Sequence, residues 1–179
     1  MRVGASISSD FGRNGLSANA RRPFAAPLAM HEGKSFRVMT DKARILVVED
    51  EMPLAMMMAF LLARVGCEAK TALNVEKALQ LAQAETFDLI TIDLEMSGTN
   101  GFELFQRLKQ IPHLSDTPIV FISARATIEN QQYALDELGA ADFIEKPFDT
   151  QDFVSRIISH VSDNDYSSLV EVISESSMA

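Results

Sequence analysis

A few side chains in this sequence have the types and placing to do chemistry together. The run "ILVVEDE" sets four apolar residues, Ile45–Val48, directly before three carboxylates, Glu49, Asp50 and Glu51. Like charges this close repel by about 1 kcal/mol per pair even in water. A cation is the ready way to hold them. Three more apolar runs end on single polar groups: "FDLITID" on Asp93, "PIVFIS" on Ser123 and "ADFIEK" on Lys146. Carboxylates, one hydroxyl and one lysine, with no His or Cys among them, favour a hard cation with oxygen ligands, Mg2+ foremost.

These groups converge only if the chain between them folds in a particular way. Strand-like and helix-like segments alternate strictly from "RILVVED" onward. The helices are "PLAMMMAFLLARVG" with Pro53 in its first turn and Gly66 as its stop, and "NVEKALQLAQAE" capped by Asn74. "NGFELFQRLKQI" follows, halted by Pro112, then "TIENQQYALDELG" from Thr127 to Gly139, and "TQDFVSRIISHV" capped by Thr150. "CEAKTA" is a weak second strand. Five strands alternating with five helices predict an α/β fold, a doubly wound parallel sheet covered on both sides. In such sheets ligands bind beyond the carboxyl ends of the strands, at the switch in strand order. That is where the polar residues stand.

The 179 residues suit one domain with appendages, and the composition, 47% hydrophobic and 23% charged, has no run of about 18 apolar residues. A single cysteine, Cys67, excludes an internal disulfide framework and a thiolate zinc cluster. The net charge of -9 argues against a nucleic-acid partner. Residues 1–40 hold six Lys or Arg against two acids, whereas residues 41–179 hold ten against twenty-three. We therefore expect a basic N-terminal extension over 1–41, a domain over 42–162, and an acidic, Ser-rich tail over 163–179. The extension has a disordered composition, and its Arg-rich, acid-poor balance is also that of an organellar transit peptide. The tail has one apolar patch: Leu169, Val170, Val172 and Ile173.

Together, "VVEDE", "TIDLEMSGTNG", "FISA" and "FIEKPF" resemble the receiver domains of two-component response regulators, over roughly Lys42 to Ser162. The resemblance implies a flavodoxin-like sheet of order 2-1-3-4-5. It makes Asp93 the phospho-acceptor. Asp50 becomes a direct Mg2+ ligand, Glu49 acts through water, and the backbone carbonyl of Glu95 completes the protein's ligands beside Asp93. Lys146 pairs with phosphoryl oxygens ahead of a cis Pro147, and Ser123 hydrogen-bonds the phosphoryl group next to a small Ala124. Phe143 falls at the switch aromatic, although an ordinary core phenylalanine reads the same. Glu51 falls outside the site. One departure stands out: Ser97 replaces the family's usual proline before Gly98.

The implied protein is a stand-alone, cytoplasmic receiver without a DNA-binding output domain, a switch rather than an enzyme. It would take its phosphoryl group from a histidine kinase or phosphotransfer protein. It would signal to a protein target through the fourth helix, fifth strand and fifth helix, without binding nucleic acid or membrane. A receiver-like adaptor that is never phosphorylated is the first rival. An aspartyl-phosphate phosphatase of the haloacid dehalogenase type is the second; it needs an acid two residues after the nucleophile, which only Glu95 could supply. The triple Met56–Met58 reads as core filling with one exposed member, and the three His residues form no ligand spacing.

Overall fold

A computed structural model describes residues 42–161. The extension before them and the whole of the tail after them lie outside the described residues. The main elements are β1 (Arg44–Val48), α1 (Met52–Arg64), β2 (Glu68–Ala72), α2 (Val75–Ala84), β3 (Leu89–Asp93) and α3 (Gly101–Lys109). β4 (Ile119–Ser123), α4 (Ile128–Gln132), β5 (Asp142–Glu145) and α5 (Thr150–Val161) follow. A two-residue ribbon pairs Glu95–Met96 with Thr99–Asn100 between β3 and α3.

The five strands are all parallel, in the order β2-β1-β3-β4-β5. β3 and β4 are buried at every position, as their unbroken apolar runs require of strands covered on both faces. Leu46, Val48, Ile90, Ile92 and Phe121 join Ala78, Ala82, Leu104, Phe105 and Leu108 of α2 and α3 in one core. α1 and α5 pack against each other, burying Ala55, Met58 and Leu62 of one and Phe153, Val154, Ile157 and Ile158 of the other. Each of the larger of these side chains contributes about 1.5–3 kcal/mol on leaving water.

Local signals explain most element ends. Asn74 and Asn100 accept the Lys77 and Phe102 amides at 2.8 and 3.0 Å, capping α2 and α3. Gly66 has φ +89° and Gly139 φ +73°, a backbone region that favours glycine.

Three expectations are corrected. The cap of α5 is Asp149, whose carboxylate accepts the Gln151 and Asp152 amides at 2.8 and 3.1 Å; Thr150 is already helical. Asp149 takes the cap because its Oδ1 reaches both free amides. The fourth helix is not uniform: after Gln132 it widens into a π turn over Tyr133–Glu137, with Leu138 N–H donating to Tyr133 O at 3.0 Å. In the methionine triple two members, Met56 and Met57, are exposed and Met58 alone is buried. Successive side chains point about 100° apart around a helix, so one buried position leaves its neighbours outside.

Candidate functional site

The carboxyl edge of β1, β3, β4 and β5 brings the expected groups together. Glu49 leaves β1 with its amide donating to Ala72 O at 3.0 Å, and its side chain is fully buried. One carboxylate oxygen each from Glu49, Asp50 and Asp93 lie within 4.8 Å of one another. Lys146 reaches in from the end of β5, its amide tied to Ser123 O at 2.9 Å. Its ammonium donates to Glu49 Oε2 at 2.7 Å and to Asp93 Oδ2 at 2.8 Å. The Lys146–Pro147 peptide bond is cis. Glu51 is exposed and stays outside the cluster.

The second oxygen of Asp93, Oδ1, accepts the Glu95 amide at 2.9 Å. With Oδ2 held by Lys146, both oxygens of this carboxylate have a donor. Ser123 is fully buried, and its Oγ accepts the Arg125 amide at 2.9 Å, so its O–H remains able to donate. Phe143 is buried against Phe121, ring centroids 6.2 Å apart.

The electrostatics follow from crowding. Burial pushes the Glu49 carboxyl above the ordinary carboxylate range, and the Asp93 charge adds to this while Lys146 pulls the other way. Burial works against the Lys146 ammonium, but its bonds to Asp93 and Glu49 outweigh that and hold it above the usual lysine value. Asp50 goes the opposite way. The Ser97 amide and hydroxyl both donate to Asp50 Oδ2, at 2.8 and 2.7 Å, and hold its carboxyl below the usual range.

The Ser97–Asp50 contact is the part of the site's geometry that sequence reasoning missed. A proline there would lack the N–H and the hydroxyl, so the departure from the family pattern adds two donors to a candidate metal ligand. The signal was in the sequence, a hydroxyl residue beside Gly98 (φ +83°) in a tight turn, but its partner lies 47 positions away. A second tie crosses the mouth: Arg125 Nε lies 2.6 Å from Glu95 Oε1. Below them, Gly101 opens α3 against the end of β3. A Cβ on it would fall 2.5 Å from Asp93 O and 2.8 Å from Leu94 Cα.

The donor set fits a divalent cation: three oxygen ligands, more negative charge than one lysine offsets, and one carboxyl raised by burial, with the Asp93 charge adding to it. A parallel sheet of this order, with an acid cluster and a lysine at its carboxyl edge, defines a phosphoryl-receiver type of site. The chain belongs to the response regulator receiver domain family, whose model matches residues 45–158. Members accept a phosphoryl group in two-component signalling and bind Mg2+ in an acidic pocket.

The phosphate regulon transcriptional regulatory protein PhoB of Pseudomonas aeruginosa is 37% identical over 113 residues, 63% of this chain and 49% of that protein. The transcriptional regulatory protein CrdR of Helicobacter pylori is 33% identical over 117 residues, 64% of this chain and 53% of that one. The chain thus spans about half the length of the curated relatives it matches. Among solved structures, the HemR receiver domain of Leptospira biflexa, non-phosphorylated, aligns with TM-score 0.62 at 31% identity over 69% of this chain and 98% of that one. A Burkholderia pseudomallei response regulator with a phosphorylated aspartic acid and a calcium ion aligns with TM-score 0.59 at 28% identity, over 75% of this chain and 73% of that one. Among the described residues no helix is long and apolar enough to cross a membrane.

Proposed function

We propose that Asp93 accepts a phosphoryl group from a phosphohistidine of a histidine kinase or phosphotransfer protein. A carboxylate oxygen of Asp93 forms the new bond to phosphorus as the bond to the imidazole nitrogen breaks. Lys146 and the Ser123 hydroxyl then hold the phosphoryl oxygens. Asp50, Asp93 and the Glu95 carbonyl, with Glu49 behind them, would hold Mg2+, which supplies charge shielding and alignment for a weak nucleophile. The observation that carries this reading is the single Lys146 ammonium bridging the Glu49 and Asp93 carboxylates at 2.7 and 2.8 Å.

The phosphorylated state would be read by a protein target on the face of α4, β5 and α5. Exposed Ile128, Tyr133 and Leu135 on α4 and its π turn support that face. The phosphatase reading is disfavoured because the Glu95 carboxylate is turned to Arg125, and only its amide faces Asp93. What the longer relatives do outside their receivers is not carried over.

Incubation with acetyl phosphate and Mg2+ should add one phosphoryl mass, lost in Asp93→Asn and on chelation. Persistent labelling of Asp93→Asn would reject the assignment. An unlabelled parent protein would favour the adaptor.

A further inference from the structure

The three carboxylates of the cluster are not held alike. Glu49 and Asp93 share the Lys146 ammonium, one oxygen each. Their other oxygens each take a single backbone amide, from Glu51 at 3.3 Å and from Glu95 at 2.9 Å. Each of these oxygens keeps a lone pair. Asp50 instead has two donors on one oxygen, the Ser97 amide at 2.8 Å and the Ser97 hydroxyl at 2.7 Å, both on Oδ2. Two donors fill the lone pairs of a carboxylate oxygen, so Oδ1 is the one oxygen Asp50 has to offer a cation.

Ser97 is itself anchored. It stands with Gly98 at the tip of the ribbon that pairs Glu95 with Asn100 and Met96 with Thr99. The Gly101 amide closes the base of that ribbon on Leu94 O at 3.0 Å. The backbone carbonyl of Glu95, the other ligand expected from this turn, lies on the same ribbon. Ser97 therefore ties Asp50, at the end of β1, to the turn after β3, and so sets the span between two oxygens that would share one ion.

We propose that Ser97 determines which cation the site takes: by holding Asp50 Oδ2 it keeps Asp50 a one-oxygen ligand and selects Mg2+ over Ca2+. The inference rests on the phosphoryl-acceptor reading for there being a cation at all, and concerns only which one is held. One oxygen per carboxylate suits the octahedral shell of Mg2+, with bonds of about 2.0–2.1 Å. Ca2+ takes about six to eight oxygens at about 2.3–2.6 Å, and a carboxylate turning both oxygens to it can supply the extra one. With Oδ2 engaged, Asp50 does not turn, and the tied ribbon resists the wider span. Net charge plays no part in the choice. Both ions carry the same charge and Ser97 is neutral, so size and ligand number alone separate them.

Calorimetric titration of the unphosphorylated full chain with MgCl2 and with CaCl2 gives the ratio of the two dissociation constants. Ser97→Pro removes both donors, Ser97→Ala the hydroxyl alone, and Ser97→Thr neither; all three leave the net charge unchanged. The preference for Mg2+ should shrink by up to about tenfold in Ser97→Pro, by less in Ser97→Ala, and stay at the parent value in Ser97→Thr. The alanine and threonine arms decide the matter if proline disturbs the ribbon. A merely structural Ser97 would weaken both ions by the same factor. An equal ratio in the parent protein, Ser97→Ala and Ser97→Pro would therefore overturn the proposal and leave the phosphoryl-acceptor reading standing. A parent protein that binds neither ion would overturn both.

Discussion

The two edges of the sheet handle charge in opposite ways. At the amino edge Glu85 lies between two cations, Arg44 and Lys70, the latter donating at 2.7 and 2.8 Å. Arg44 also donates its amide to Asp88 at 2.7 Å and a guanidinium N–H to Thr86 O at 2.9 Å. Lys70, foremost, then Arg44 hold the Glu85 carboxyl below the usual carboxylate range. At the carboxyl edge the ratio is inverted, with three carboxylates around one lysine and Glu49 shifted upward. An acid held by two cations at one end ties elements together; three acids sharing one lysine at the other leave room for incoming positive charge. Both edges are ion-pair networks by distance. They differ in burial and in how many cations each acid has.

The largest break of this comparison is Lys146→Met. It strands Glu49 and Asp93 without their cation, and losing one partner of a buried pair costs roughly 3–5 kcal/mol. Part of that should return as Glu49 takes up a proton. Urea unfolding without divalent ions should show the loss, and Mg2+ should restore more stability to this variant than to the parent protein.

Next in size is Ser97→Pro, which removes both donors from Asp50. Mg2+ affinity, followed by calorimetry, should fall by up to about tenfold, the low end for groups that orient a metal ligand. Ser97→Ala, which keeps the amide, should fall less. Equal affinities in all three proteins would mean that Asp50 needs no orienting partner.

At the amino edge Glu85→Gln should act through pH rather than metal. The folded Glu85 pKa is depressed, so its contribution is present above the unfolded value of about 4.3. It is lost as pH falls through the folded pKa. The parent protein should therefore lose stability along that acid limb, and the variant should show a flatter one with an unchanged Mg2+ response. A changed Mg2+ response would show that the two edges are coupled.

The smallest effect belongs to Glu95 and Arg125. The guanidinium is 74% exposed, so the pair contributes less than about 1 kcal/mol. Its position over the mouth still allows it to hinder the water that hydrolyses an acyl phosphate. A double-mutant cycle on the dephosphorylation rate, with Glu95→Ala and Arg125→Ala, should show non-additive logarithms; additivity would make them two unrelated surface charges.

The sequence made the carboxyl edge legible because each site residue sits at the end of its own apolar run, and strand direction then fixes where it points. Asn74, Gly66 and Gly139 were legible because caps and left-handed turns are local. Ser97 bonding to Asp50 was not, nor was Arg44 with Lys70 around Glu85, since each joins residues far apart through side-chain reach rather than periodicity. The π turn after Gln132 escaped because a one-residue widening leaves the apolar spacing nearly unchanged. Asp149 was passed over for Thr150 because either residue type caps a helix and only the backbone decides between adjacent positions.

The approach of α3 to β3 at Gly101 bears on how this sequence can drift. Its side-chain hydrogen fills no pocket and touches no phosphoryl group, yet any larger substituent there would press on the carbonyl of Asp93 and the backbone of Leu94. The position of Asp93, the proposed acceptor, is thus guarded by a residue with no chemistry of its own. A substitution at Gly101 would present as a loss of phosphorylation and be mistaken for a damaged active site, whereas the remedy would lie in the helix that follows it.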